Sequence, residues 1–252
     1  LHLATCVTRA VYVSSSSKPS KLFSTILSLC NNIPDGSEDP TDKAIYEYLN
    51  HFYDILEIRK KYHRIEEFTF DYKLKRVTTV DSLNEEYFFS SKGAFESILN
   101  ICTHIDVNDK VDVLTPEIKA KLIEAHDELA QKGLRNIAFA YKKLNVLANT
   151  RNEIEKEMIF SGIISLIDNY RKEVKPAIAK CKTAGIKVVM ITGDNPLTSA
   201  EIAKQTGIIS DSSKVITGDE LDKLEPENIK ELLKENFVFA RATPEHKLKI
   251  VT

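Results

Sequence analysis

The stretch "GIKVVMITGDNPLTSAEIAKQTGI" at residues 185–208 decides the fold of the C-terminal part of this chain. Its apolar run stops at Thr192-Gly193-Asp194, and a helix pattern of small residues starts a few positions later. That order predicts a buried strand over "IKVVMIT", a tight turn, and a helix over "LTSAEIAKQTG". The flanking segments repeat the alternation. "EVKPAIAKCKTAG" predicts a helix ending at Gly185, "KVIT" a strand, "PENIKELLKE" a helix, "NFVFAR" a strand, and "TPEHKLKIVT" the start of another helix. Strands alternating with helices predict a parallel sheet with helical crossovers, an α/β unit over 166–252.

Upstream the period is different. A short strand is expected at 10–13, followed by a Ser-rich loop over "VSSSSKPSK" (13–21) and a second loop over "NNIPDGSEDP" (31–40). Ala44, Ile45, Tyr48, Leu49, Phe52, Ile55 and Leu56 recur at helical spacing, with Thr41 placed to cap that helix. "EEFTFDY", "KRVTTVDS" and "EEYFFSSKG" are rich in aromatic and β-branched residues and are separated by turn residues, which predicts adjacent antiparallel strands. A helix is expected from Thr115-Pro116-Glu117 to Gly133, and strands over "NIAFAYKKL" and "MIFSGIISLID". The chain is therefore expected to hold a residual piece at 1–9, an α+β unit at 10–165 and an α/β unit at 166–252.

Composition narrows the function classes. Lys and Arg number 35 against 37 Asp and Glu, so no excess of positive charge recruits nucleic acid or an anionic membrane. Cys6, Cys30, Cys102 and Cys181 are far apart and form no C-x-x-C pair, so neither a zinc site nor a disulfide framework is suggested and no metal-ligating residue is assigned. No apolar run approaches the roughly 20 residues that cross a bilayer, so the chain as given is expected to be soluble.

Ligands of open α/β sheets bind where strand C-termini meet the following loops. Thr192-Gly193-Asp194 stands at such an end: Gly193 permits a tight turn, Thr192 offers a hydroxyl, and the next helix presents free amides, a geometry suited to phosphate. Purely structural turns use the same residues. A second strand end, "FARATPEHKLKIV", places Lys247 in the first turn of a helix, where the dipole disfavours a cation, so the residue either meets an anion or is a solvated surface lysine.

Taken in order, these and other stretches resemble the cytoplasmic catalytic region of P-type cation-transporting ATPases, closest to the type II group of calcium and sodium pumps. "DPTDKAIYEYL" is similar to that family's D-P-T-E-x-A-L, "FTFDYKLKRVTTV" to F-D-S-x-x-K-R-M-S-V, and "SSKGAFESIL" to K-G-A-P-E. "GLRNIAFAYKKL" resembles G-x-R-x-L-A-x-A-Y, "LIDNYRKEVKPAI" the D-P-P-R hinge, and "VVMITGDNPLTSAEIAKQTGI" with "VFARATPEHKLKIV" two phosphorylation-domain motifs.

The resemblance implies an antiparallel-sheet nucleotide-binding domain with flanking helices, followed by part of a Rossmann-like, haloacid-dehalogenase-type phosphorylation domain. It implies ATP and Mg2+ as cofactors. Phe70 would stack on adenine, Lys92 and Gly93 would form the bottom of the pocket, and Lys75 would line it. Arg135 would approach the phosphate chain, and Asp42, standing for the family's Glu, would face the adenine amino group. Thr192 and Lys247 would contact the phosphoryl group on an aspartate, with Gly193 and Asp194 completing the turn. Asp168 and Arg171 would lie at the interdomain hinge, Arg171 near a carboxylate or the nucleotide.

The family's phosphorylated D-K-T-G-T and its G-D-G-x-N-D do not occur in these residues. The resemblance thus implies a region of a membrane protein facing the cytoplasm, whose actuator and transmembrane domains, the latter carrying the cation, are its partners, and a chain unable by itself to form the phosphoenzyme. Phe95 replaces Pro in K-G-A-P-E and Asn169-Tyr170 replaces Pro-Pro at the hinge. The competing readings are a free-standing phosphatase and a non-catalytic nucleotide-sensing or protein-interaction module.

Overall fold

A computed structural model of the chain describes residues 9–11, 18–107, 109–147, 150–167, 173–235 and 237–251. They divide into two compact units, one of 9–126 and 136–166, the other of 127–135 and 167–251.

The first unit follows the order β1 (Arg9–Val11), α1 (Lys21–Leu29), α2 (Pro40–Asn50), α3 (Ile55–Lys60), β2 (His63–Asp71), β3 (Arg76–Leu83), β4 (Glu86–Ala94) and α4 (Phe95–Asn100). It continues through β5 (Cys102–Val107), β6 (Lys110–Val113), α5 (Pro116–Gln131), β7 (Leu134–Leu144), α6 (Arg151–Ile154) and β8 (Met158–Ile167), although the end of α5 and the start of β7 cluster with the second unit. The strands form one mixed, largely antiparallel sheet in the order β2-β3-β4-β7-β8-β5-β6, with β1 also paired to β8. The β5–β8 pair is parallel. Strand alternation splits the apolar residues between two faces. Phe89, Val80, Ala138 and Ala140 pack in one core with Phe95, Ile98, Leu122 and Phe160. Phe88, Phe139 and Tyr141 pack in the other, against Phe23, Ile26 and Leu27 of α1 and Ile45 and Leu49 of α2.

Several expectations for this unit are corrected. The strand expected at 10–13 occupies Arg9–Val11, and residues 12–17 of the Ser-rich loop lie outside the described residues. Helix α1 is an element the sequence reading did not find. Ser20 caps it by accepting a hydrogen bond from the Phe23 N–H, and every residue from Phe23 to Leu29 is buried. The cap of α2 is Asp39, whose carboxylate accepts the Thr41 and Asp42 N–H groups, and Pro40 fills the first helical position; Thr41 is inside the helix. The helix expected to run through Leu56 stops at Asn50, and Asp54 caps a separate α3. Phe95 is a core residue, 2% exposed, with its ring stacked on His126 at 4.2 Å.

The second unit contains α7 (Val174–Thr183), β9 (Val189–Ile191), α8 (Pro196–Thr206), β10 (Val215–Thr217), α9 (Gly218–Leu221), α10 (Pro226–Leu232), β11 (Phe237–Ala240) and α11 (Pro244–Val251). Its three described strands pair in parallel in the order β10-β11-β9. The central strand β11 is buried throughout. The stretch expected to be a buried strand, "IKVVMIT", is a strand only at Val189–Ile191, and these residues are half-buried because β9 is an edge of the described sheet.

Candidate functional site

In the first unit the site residues gather on β2, β3, β4 and α2. The turn between β2 and β3 is locked by Asp71, whose Oδ1 accepts the Lys73 and Leu74 N–H groups at 2.7 and 2.9 Å. The Leu74 and Lys73 amides hold the Asp71 carboxyl below the usual carboxylate range. Lys75 closes the turn in the left-handed region, φ 54°, and its carbonyl accepts the Ala94 N–H of β4 at 3.0 Å. That approach requires glycine at 93: a Cβ there would stand 2.4 Å from the Lys75 carbonyl oxygen. Gly93 thus seats the Lys75 corner on the end of β4.

Register aligns the positions of the aromatic residue and the lysine across β3. Phe68 pairs with Thr78 and Asp71 with Arg76, so the irregular step between them sets Thr69 and Phe70 beside Val77, and Val77 pairs with Lys92 of β4. Phe70 is 51% exposed and meets Tyr72 edge to face at 5.4 Å. Lys92 is largely buried and pairs with the carboxylate of Asp42, itself buried on α2. The other Asp42 oxygen accepts the Asn32 N–H at 3.2 Å. Asp42, expected to face a base, thus has both carboxylate oxygens already engaged.

Sequence reading missed the residues around this pair. Arg64 donates to Asp81 at 2.7 Å, to Glu67 at 3.2 Å and to the Leu29 carbonyl, and Asn32 donates to Glu67 at 2.7 Å. Burial raises the Asp81 carboxyl pKa, with Arg64 opposing it. Burial pushes the Cys30 thiol up to about 12, despite the lowering influence of Lys92 and Arg64. The only sequence signal was a set of polar residues at strand and loop positions.

In the second unit, Thr192-Gly193-Asp194 folds into a closed turn at the end of β9. The Thr192 hydroxyl donates to Asp194 Oδ2 at 2.8 Å and accepts the Asp194 N–H at 3.1 Å. Backbone bonds tie the turn to the end of β11: Thr192 N–H to Phe239 O, Ala242 N–H to Thr192 O and Arg241 N–H to Asp194 O. Asn195 caps α8 by accepting the Leu197 N–H at 2.8 Å. Arg135 clusters with this unit, its Nε 4.0 Å from Asp194 Oδ1; both groups are substantially solvated, so the attraction is weak. Lys247 is exposed in the first turn of α11. Asp168 and Arg171 lie outside the described residues.

The first unit can offer an exposed ring and cations, and the second a hydroxyl, a carboxylate and an exposed lysine at strand ends. The first unit is thus a mixed sheet with helices on both faces, and the second a parallel α/β unit. Residues 23–173 match the model of P-type ATPase cytoplasmic domain N, and the chain belongs to this cation-ATPase family. It is similar to calcium-transporting ATPase 1 of Bacillus cereus, 39% identical over 230 residues, covering 88% of this chain and 26% of that protein. Calcium-transporting ATPase 1 of Saccharomyces cerevisiae is 35% identical over 240 residues, 90% of this chain and 25% of its own length. Potassium-transporting ATPase alpha chain 2 of Oryctolagus cuniculus is 33% identical over 237 residues, 79% and 22% respectively. The chain spans about a quarter of the length of these curated relatives. No described helix is long and apolar enough to cross a membrane.

Proposed function

We propose that this chain is the ATP-binding region, with part of the phosphorylation region, of a membrane pump that couples ATP hydrolysis to cation transport. The observation that carries the reading is the cross-strand row of exposed Phe70, Val77 and buried Lys92, opened at its end by the glycine at 93. Phe70 stacks on the base, since an exposed aromatic face grips a purine at little entropic cost. Lys92 holds its charge beneath the pocket, oriented by Asp42, and Lys75 offers a second cation toward the polyphosphate. Magnesium bound to the nucleotide neutralises phosphate charge during transfer. Thr192 and Lys247 contact the phosphoryl group on its acceptor, Gly193 and Asp194 keep the Thr192 hydroxyl aimed, and Arg135 offsets charge beside Asp194. The acceptor is an aspartate of the whole protein outside these residues. The whole protein resides in a membrane with this region facing the cytoplasm, and its actuator and transmembrane domains are the working partners. The relatives' names favour calcium as the cation.

Calorimetric titration of the chain with ATP, GTP and the Phe70→Ala variant tests the reading. Saturable ATP binding is expected, weaker for GTP, and weakened about tenfold or more by losing the stacking ring. No ATP binding by the folded chain would refute it.

A further inference from the structure

Beneath the β2–β3 turn lies a buried ionic cluster with no part in the site just described. The Glu155 side chain is 2% exposed, with Arg76 at 12% and Arg151 at 19%. Glu155 Oε2 accepts Arg76 Nε at 2.7 Å; Oε1 accepts Arg151 Nε at 2.7 Å and the Thr78 hydroxyl at 2.5 Å. Thr78 and Ser91 share a 2.7 Å hydrogen bond. The carboxylate is therefore saturated by two guanidinium groups and a hydroxyl.

The outer edges of both guanidinium groups turn to the turn's main chain. Arg151 donates to the Thr69 carbonyl at 3.4 Å and to the Arg76 carbonyl at 2.8 Å. Arg76 donates to Ser97 Oγ at 3.0 Å, and Ser97 donates to the Leu74 carbonyl at 2.5 Å. The three carbonyls belong to the residues immediately before Phe70, immediately before Lys75 and immediately after Lys75. Thr69 lies in the irregular step where β2 leaves regular pairing with β3, so its carbonyl draws on Arg151 where the ladder is interrupted.

A buried Arg–Glu–Arg cluster adds little net stability over apolar packing of equal volume, because the desolvation of three charges must first be offset. Its distinctive yield is directional: fixed guanidinium forks hold carbonyls at set positions. Arg151 is itself fixed at the first turn of α6, where Thr150 and Glu153 form a capping box. We propose that Glu155, with Arg76 and Arg151, is a positioning centre for nucleotide binding: it holds the main chain just before Phe70 and, partly through Ser97, on both sides of Lys75, and so sets where the ring and the lysine stand. This inference rests on the nucleotide reading given above.

Glu155→Gln keeps the volume and removes the charge that orients both guanidinium groups. ATP affinity is measured by calorimetry for the unaltered chain, Glu155→Gln, Phe70→Ala and the double variant, with amide hydrogen exchange in parallel. Glu155→Gln is expected to weaken ATP about fivefold to tenfold in the unaltered background, the scale of one ordinary hydrogen bond, and to have a clearly smaller effect once Phe70 is absent, the remainder acting through Lys75. Amides of 70–76 are expected to exchange faster while those of 86–92 do not. Equal fold losses in both backgrounds, or unchanged exchange at 70–76, would overturn the positioning role. If Glu155→Gln does not fold, Arg151→Met releases the Thr69 and Arg76 carbonyls and leaves the Arg76–Glu155 pair intact; the same two signatures are then required. An unaltered chain that binds no ATP overturns the nucleotide reading and this role together, and that single control separates it from failure of the cluster alone.

Discussion

Replacing Lys92 by Met tests whether the Lys92–Asp42 pair is a structural debt as well as a binding element. The side chains of the pair are only 13% and 6% exposed, and Met fills nearly the volume of Lys without its charge. Breaking a buried pair from one side costs about 3–5 kcal/mol, because the remaining charge is stranded. Here Asp42 keeps the Asn32 N–H at 3.2 Å, which holds the expected loss near the lower end, about 3 kcal/mol. Lys92→Met with Asp42→Asn strands no charge and keeps an acceptor for Asn32, so the double variant should be more stable than Lys92→Met alone. The chain has no Trp, so urea unfolding is followed by far-UV circular dichroism. A Lys92→Met loss under about 1 kcal/mol would place the pair with solvated surface bridges and refute the reasoning. So would a double variant that loses the sum of the two single losses.

Burial pushes the Cys30 and Cys102 thiols up to about 12, so neither forms appreciable thiolate around neutrality. Alkylation mapped by mass spectrometry should therefore label Cys181, which is partly exposed, well before Cys30 or Cys102, and Cys30 and Cys102 should stay unlabelled from pH about 7 to about 9 until urea is added. Rapid native labelling of Cys30 would contradict the buried α1 packing. Gly218→Ala in the second unit should cost about 1–3 kcal/mol, because the added Cβ would stand 2.5 Å from His246 Cε1 and 2.7 Å from the Arg241 carbonyl oxygen. His246→Ala removes only the first obstacle, so it should rescue Gly218→Ala in part; an undiminished Tm for Gly218→Ala alone would show that the contact yields freely.

The elements that were legible in sequence are those marked by composition and by local start and stop signals. The antiparallel β2–β3–β4 meander follows its aromatic and β-branched runs between turn residues, and α5 runs between its Pro and Gly signals as expected, from Pro116 to Gln131 with Gly133 at φ 75°. Helix α1 was not legible for a physical reason. Its polar side beyond Lys21 is built of Ser24, Thr25 and Ser28, all buried, so the helical spacing of Phe23, Ile26 and Leu27 is not set off by a charged, solvated face. Two of these hydroxyls are satisfied within the helix: Thr25 donates to the Lys21 carbonyl and Ser28 to the Ser24 carbonyl. The break after Asn50 was missed because apolar spacing continues across it into α3, while the Asp54 cap is a local signal inside an otherwise periodic run. β9 was read as buried from its apolar content, but burial depends on neighbours, and its place in the order β10-β11-β9 leaves it half covered.

The site residues show the same boundary between local and non-local information. Asp194 bonding Thr192 two residues away is a turn property that a short motif carries. The Asp42–Lys92 pair joins residues fifty positions apart, and Arg76–Glu155 joins residues seventy-nine apart; no period connects them. Phe70 is the sharpest case. Strict alternation along "FTFDY" puts Phe68 and Phe70 on one face, yet Phe68 packs against the core that contains Phe89 while Phe70 is 51% exposed. The irregular step between Phe68 and Asp71 changes the side that follows, because one extra residue on β2 is accommodated against β3. An extra residue in a strand also leaves main-chain groups without ladder partners, and Arg151 supplies one of them to the Thr69 carbonyl. The bulge that turns the ring outward and the ionic cluster that secures it are therefore two parts of one local solution, and neither is announced by the adjacent sequence.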